Sequence, residues 1–86
     1  MKLTKTQKQI KKITKDICKL LIAKNKSYGN SAISPVRIFS KASSSEQILV
    51  RLDDKLSRIA KGCDFEDEDV INDLIGYLVL LKISNK

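Results

Sequence analysis

The sequence predicts a single all-α domain over residues 1–86, and three observations support this fold class. Apolar residues recur at three- and four-residue spacing, typical of one helix face, in three long segments. Residues that favour helix caps precede the first two of these segments, and a glycine follows each of them. No segment shows the strict alternation of apolar and polar residues that indicates a half-buried strand.

The first helix is predicted over about residues 4–24. Thr4 and Gln7 have the spacing of a capping box, in which each side chain accepts a hydrogen bond from the other residue's backbone. At about 100° per residue, one apolar stripe follows the helix. The stripe consists of Ile10, Ile13, Ile17, Leu20 and Leu21. Lys24 continues the stripe, so its side chain is expected either to extend to solvent or to reach a ligand.

A polar segment and a short helix are predicted to follow. Residues 25–31 contain Gly29 and are expected to form the loop that ends the first helix. Ser34 and Pro35 then have the pattern of an N-cap followed by a proline at the first helical position. The sequence therefore predicts a short helix over about residues 35–41, after the Tyr-Gly loop.

Two further long helices complete the prediction. Ser43 and Glu46 have capping-box spacing, and Gly62 is suited to end the helix that follows. The apolar face of this second helix consists of Ile48, Leu49, Leu52, Leu56 and Ile59. The third helix is predicted from about residues 64–66 to Ile83 and is apolar nearly all round, which indicates burial. Because a chain of this length builds only a small core, we expect a small bundle that forms a homo-oligomer.

The composition narrows the classes of function. Neither of the two cysteines belongs to a CxxC pair, and there is no histidine. These facts argue against a structural zinc site and against Ser–His or Cys–His catalytic pairs. No apolar run approaches the ~18 residues of a membrane span, and no apolar stretch follows the N-terminal lysines as in a secretory signal. We therefore expect a cytoplasmic protein without a membrane partner, whose net charge of +7 favours anionic ligands.

A basic stripe is predicted on the second helix. Arg51, Lys55 and Arg58 fall within about 60° of one another on the helical wheel, and Asp54 lies beside them. Two interpretations are open. The stripe either forms a ladder of salt bridges with the third helix or binds phosphate oxygens, with a carboxylate available to Mg²⁺.

An acidic stripe is predicted on the third helix. Glu66, Asp69, Asp73 and Tyr77 share one face, so they are candidates for the same ladder or for Mg²⁺ ligands. Gly76 lies next to this face. Because glycine costs about 1 kcal/mol in a helix interior relative to alanine, its presence predicts the close approach of a neighbouring helix or a ligand.

Three motifs, taken together and in order, resemble one family. They are residues 24–29 (KNKSYG), 51–58 (RLDDKLSR) and 68–77 (EDVINDLIGY). The family is phage-rich and is described as the nucleotide-modification-associated domain. It is similar to the all-α nucleoside-triphosphate pyrophosphohydrolases of the MazG and dimeric dUTPase type. The resemblance covers about residues 15–83 and implies a helical, oligomeric protein that binds nucleotides, with Mg²⁺ as cofactor if it is catalytic.

The resemblance also implies site residues, position by position. The implied ligand-binding residues are Lys24, Asn25, Tyr28, Gly29, Arg51, Lys55, Arg58 and Tyr77. The implied metal ligands are Asp54, Asp69 and Asp73.

Three functions are left open by the sequence. One is a Mg²⁺-dependent nucleoside triphosphate pyrophosphohydrolase. Another is a binding module that sequesters a nucleotide, or a cyclic or ADP-ribose-type signal, and so counters host defence in the host cytoplasm. The second helix carries Asp53 and Asp54 side by side where the pyrophosphohydrolases have a glutamate pair, which favours binding. The third is an interaction protein that contacts nucleic acid or a host protein through the lysine-rich half of the first helix.

Overall fold

The computed structural model describes residues 2–35, 37–62 and 68–85. It contains three α-helices: α1 over Lys5–Tyr28, α2 over Ser44–Ala60 and α3 over Glu68–Ser84. No strand occurs in these three ranges, so the described chain has the predicted all-α class. The predicted start of the third helix, residues 64–66, lies outside the described residues.

Helix α1 begins as predicted and ends later than predicted. The Thr4 hydroxyl accepts a hydrogen bond from the Gln7 N–H at 3.1 Å, and the Gln7 side chain accepts one from the Thr4 N–H at 2.9 Å. The helix continues through Tyr28, so residues 25–28 are helical and not part of a loop. It ends at Gly29, whose φ of +66° is rarely adopted by other residues. The end of the helix is therefore set by Gly29 and not by the polar composition of residues 25–28.

Helix α2 has the predicted bounds. The Ser43 hydroxyl accepts a hydrogen bond from the Glu46 N–H at 3.1 Å, which satisfies one of the unpaired donors of the first turn. The helix ends at Ala60, and Gly62 follows with a φ of +88°.

The short helix predicted over residues 35–41 is not found in the described part of that segment. Instead, the Asn30 carbonyl accepts hydrogen bonds from Ile33 and Ser34, which form a turn ahead of the proline. Ile38 and Phe39, two apolar residues that such a helix would need to bury, are 77% and 95% exposed. Because short helices depend on tertiary packing for most of their stability, this segment lacks what a helix would need.

Helices α2 and α3 run antiparallel. Ser45 at the start of α2 contacts Asn85 just beyond α3 at 3.0 Å, whereas Lys55 near the end of α2 contacts Asp73 early in α3 at 3.1 Å. The buried apolar side chains of this pair, among the residues described, are Ile48, Leu52 and Val70. The core therefore lies between these two helices.

Helix α1 crosses α3 at Gly76. A Cβ atom placed on Gly76 would lie 3.0 Å from Cδ2 of Leu21, so the glycine allows the two helices to approach closely. One turn along each helix, Nζ of Lys24 lies 3.0 Å from Oδ1 of Asp73. The close approach that the sequence predicted at Gly76 is thus made by a neighbouring helix.

The fold is more open than is usual for a chain of this length. Its radius of gyration is 15.2 Å, against about 12 Å expected for a compact domain of this size. No residue of α1 is fully buried. No helix in the described ranges is both long enough and apolar enough to cross a membrane. The predicted homo-oligomer is not tested by a single chain and stays a prediction.

Candidate functional site

An open groove of about 500 Å³ follows one face of α2 and reaches α3. Because residues three, four and seven apart share a helix face, the sequence of α2 places a row of long polar side chains along it. Four of these side chains are cations and one is a carboxylate, so the groove carries net positive charge. The residues that line it are Arg51, Asp54, Lys55, Ser57, Arg58, Lys61 and Tyr77.

Arg51 and Tyr77 form one wall of the groove. The guanidinium Nη1 of Arg51 donates a hydrogen bond to the Tyr77 hydroxyl at 3.4 Å. The guanidinium carbon lies 5.8 Å from the centroid of the Tyr77 ring, within the range of a cation–π contact. The two side chains therefore orient each other, and they place a charge and an aromatic ring at the same end of the groove.

Asp73 joins all three helices. Its Oδ1 contacts Lys24 of α1 at 3.0 Å and its Oδ2 contacts Lys55 of α2 at 3.1 Å. Burial alone would raise the pKa of Asp73, but the hydrogen bonds and positive charges of the two lysines lower it below its ordinary value. Asp73 is therefore ionised at neutral pH and stabilises the packing of α1 and α2 on α3.

Lys55 belongs both to the groove and to this ion pair. Its side chain is 19% exposed and lines the groove while its Nζ contacts Asp73. The Lys55–Asp73 contact is a salt bridge of the kind that the ladder interpretation predicted between α2 and α3. Arg51 also contacts α3, but its partner there is Tyr77 and not one of the acidic residues that a ladder of salt bridges would use. Part of the basic stripe thus has a structural role, and part lines an open surface.

None of the predicted residues at the end of α1 lines the groove, although Lys24 contacts Asp73, which also contacts Lys55 of the groove. The Asn25 amide donates hydrogen bonds to the Gly29 carbonyl at 3.2 Å and to the Asn30 side chain at 3.0 Å. Asn25 and Gly29 therefore serve to end the helix. Tyr28 is 75% exposed, and Lys24 contacts Asp73. The predicted ligand-binding residues thus fall into two groups, one in the groove and one at the end of α1.

Two of the three predicted metal ligands can be placed, and their surroundings differ. Asp54 lines the groove, whereas both carboxylate oxygens of Asp73 are in contact with lysines. The side chain of Asp69 lies outside what the structure describes. Within the described ranges, no three acidic or cysteine side chains are grouped closely enough to hold a metal ion. A magnesium site remains a prediction.

Sequence reasoning missed two residues of the groove, Ser57 and Lys61. Lys61 follows Arg58 by three positions and Asp54 by seven, so helical spacing alone places it on the same face. The stripe of Arg51, Lys55 and Arg58 therefore continues by about one helical turn to Lys61.

Comparison of the chain with protein-family models, with curated proteins and with solved structures finds no match. The class of the protein therefore rests on the structure itself: in the described ranges the chain forms three α-helices, with a basic groove on α2. The resemblance to the nucleotide-modification-associated domain stays a prediction.

Proposed function

We propose that the groove on α2 binds the phosphate groups of a nucleotide or of a nucleotide-derived signal. One observation carries the proposal: Arg51, Lys55, Arg58 and Lys61 line a single open groove, and Asp54 is the one acid among the described residues that line it. Arginine and lysine are the side chains that bind phosphate oxygens best, and charge-assisted hydrogen bonds are about twice as strong as neutral ones. A groove with this balance of charge favours an anion with several negative oxygens.

Tyr77 supports a nucleotide in preference to a simple anion. Its ring lies at the end of the groove beside Arg51, where it can pack against a base or a sugar while the cations hold phosphates. The Ser57 hydroxyl adds a neutral donor to the same surface. The resemblance of residues 51–58 and 68–77 to a nucleotide-associated family is consistent with this assignment.

Binding without turnover is the favoured form of this function. A metal ion at Asp73 would meet the positive charges of Lys24 and Lys55, which already contact both oxygens of the carboxylate. Asp54 then remains as the carboxylate in the groove. In this form the protein sequesters its ligand, and a phage protein of this kind would remove a nucleotide signal on which host defence depends.

The test is one incubation with two measurements. The protein is mixed with nucleoside triphosphates, cyclic oligonucleotides and ADP-ribose derivatives, with and without Mg²⁺, and the free nucleotides are separated by chromatography. Under the proposal, one nucleotide disappears from the free pool and returns unchanged when the protein is heat-denatured. If no nucleotide is depleted or converted, the proposal is wrong.

Variants connect the binding to the groove. Arg51→Ala and Arg58→Ala are each expected to weaken binding on the order of 10-fold, which corresponds to about 1.4 kcal/mol. Arg37→Ala is the matched control, because Arg37 is exposed and does not line the groove. Equal losses from all three changes would show that the ligand responds only to net charge.

A Mg²⁺-dependent pyrophosphohydrolase is the second candidate, and the position of Asp54 favours it. Mg²⁺ is commonly held by one or two carboxylates together with substrate phosphates, so Asp54 beside Arg51 and Arg58 could serve this purpose. The same incubation then shows a monophosphate peak that requires Mg²⁺. Asp54→Asn would abolish that peak, whereas sequestration would survive the change.

A further inference from the structure

Asp54 lies among the cations of the groove, and within the described part of the chain it forms an ion pair with none of them. Arg51 precedes it by three residues and Arg58 follows it by four, spacings at which side chains are neighbours on a helix surface. The salt bridges of the described residues nevertheless do not include Asp54, whose side chain is exposed. Both of its carboxylate oxygens are therefore available to a ligand in the groove.

A carboxylate at this point favours a hydrogen-bond donor over a phosphate. Two negative charges that lie close together repel each other, so Asp54 weakens the binding of a phosphate at its own position. An ionised carboxylate can only accept hydrogen bonds, so in the absence of a metal ion the ligand group beside it must carry an O–H or N–H. The part of the ligand next to Asp54 is therefore a neutral donor, and the phosphates lie elsewhere in the groove.

The groove residues follow one another along α2 in a definite order. Arg51, with the ring of Tyr77 against it, lies at one end. At a rise of about 1.5 Å per residue, Asp54 lies roughly 4–5 Å further along the helix axis, Arg58 roughly 10 Å and Lys61 roughly 15 Å. The order is thus an aromatic ring, a carboxylate and then two cations. A base, a ribose and a chain of phosphates require binding groups in this same order.

The opposite orientation of a nucleotide fits the groove less well. Tyr77 is the aromatic residue among the described residues that line the groove, and it lies at the Arg51 end. The C-terminus of α2 carries about half a unit of negative charge, but the charges of Arg58 and Lys61 outweigh it. A base at the Tyr77 end and phosphates at the Lys61 end therefore place the ribose, which joins them, beside Asp54.

We infer that Asp54 accepts hydrogen bonds from the 2′- and 3′-hydroxyls of a ribose, so that the groove selects ribonucleotides over deoxyribonucleotides. This inference rests on the proposed function and names its substrate class. The two hydroxyls of a ribose are adjacent donors, and the two oxygens of one carboxylate can accept from both. A carboxylate serves the same purpose in dinucleotide-binding domains of the α/β class. Because these hydrogen bonds are charge-assisted, the loss of the hydroxyls has a measurable effect even in an open groove.

The test compares nucleoside triphosphates that differ only in the sugar. Isothermal titration calorimetry without Mg²⁺ measures the binding of the common ribonucleoside triphosphates and of their 2′-deoxy and 2′,3′-dideoxy counterparts. For the base that binds best, the dideoxy form is expected to bind on the order of 10-fold more weakly than the ribose form, with the 2′-deoxy form between them. Equal affinities for the three forms would overturn the inference. The proposed function would still stand in that case, because the nucleotide binds.

Asp54→Ala connects the preference to the carboxylate. In this variant the ribose and dideoxy forms are expected to bind with the same affinity, and the dideoxy form no more weakly than to the wild type, because a negative charge has gone. Asp53→Ala is the matched control, since Asp53 is the adjacent residue, is exposed and does not line the groove. Alanine is the best helix former, so neither change is expected to disturb α2. A preference that survives Asp54→Ala, or that both changes abolish, would contradict the inference.

Two further results separate this role of Asp54 from the proposals beside it. If no nucleotide binds to the wild type, the proposed function fails and the role of Asp54 falls with it. If Asp54 instead holds Mg²⁺, Asp54→Ala weakens the binding of all three sugar forms equally, and only when Mg²⁺ is present. That pattern would show that the inference is wrong and that the groove belongs to a metal-dependent site.

Discussion

The Nζ atom of Lys24 lies 3.0 Å from Oδ1 of Asp73, while the other oxygen of the same carboxylate contacts Lys55. These two lysines come from α1 and α2, and the aspartate comes from α3. Without the carboxylate, two like charges would remain close together. Asp73 is therefore the residue at which an isosteric change tests the packing of all three helices.

We predict that Asp73→Asn lowers the free energy of unfolding by about 1–2 kcal/mol. The value is modest because the Lys24 side chain is 43% exposed and solvent screens its contact. Urea denaturation followed by circular dichroism measures the change. Asp16→Asn is the control, since the Lys12–Asp16 pair is 3.4 Å long and both side chains are more than 60% exposed. If the control is equally destabilised, the loss at Asp73 reflects net charge alone.

The contribution of Asp73 should depend on pH. The pKa of Asp73 is lower in the folded protein than its ordinary value. A carboxylate whose pKa is lower in the folded than in the unfolded protein stabilises the fold at pH values above its unfolded pKa, which is about 4 for aspartate. This stabilisation is lost as the pH falls through the pKa of the folded protein. The stability difference between wild type and Asp73→Asn is thus expected to be full at pH 6 and to shrink as the pH falls below about 4. A difference that stays constant over this range would contradict the ion-pair explanation.

The contact between Leu21 and Gly76 predicts a double-mutant result. Gly76→Ala should gain about 1 kcal/mol of helix propensity, but its Cβ would meet Leu21 Cδ2 at 3.0 Å and displace it. We expect the two effects to offset each other, so that the single change is close to neutral. In a Leu21→Ala background the obstacle is gone, and Gly76→Ala should then stabilise by about 1 kcal/mol. Thermal unfolding of the four proteins measures this coupling, and additive effects would show that the helices do not meet there.

The N-cap of α2 offers a local test. Ser43→Ala removes the oxygen that accepts the Glu46 N–H, and it is expected to cost about 1 kcal/mol. For a domain of this size that lowers the melting temperature by about 4–8 °C. Ser43→Asp keeps an acceptor at the same position and should retain the wild-type melting temperature. Equal losses from both changes would show that Ser43 acts in some way other than as a cap.

Several features of the protein could be predicted from the sequence because they depend on residues within one or two helical turns. The capping residues Thr4 and Ser43 each hydrogen-bond a group three positions away. The basic face of α2 follows from the spacing of Arg51, Lys55 and Arg58 alone. These signals indicate where a helix begins and which of its faces is charged, whereas most of the stability of a helix in a protein comes from packing.

Other features depended on residues that are distant in the sequence. Lys24 and Asp73 are 49 positions apart, and no spacing rule connects them. Helical periodicity placed Lys24 on the apolar stripe of the first helix and predicted a close approach at Gly76. It could not predict which residues of the other helices these two positions contact. The short helix over residues 35–41 was predicted from its cap pattern, and it is missing from the described residues because Ile38 and Phe39 have no surface to pack against.

The sequence by itself thus determined the helices, their caps and the charge on each helix face, because these are set by side chains within about seven residues of one another. Only the tertiary structure decided which charges neutralise each other and which remain in an open groove. It also decided that α1 meets α3 at Gly76. The physical reason is that ion pairing and packing depend on how the helices are arranged in space, and helical periodicity carries no information about that arrangement.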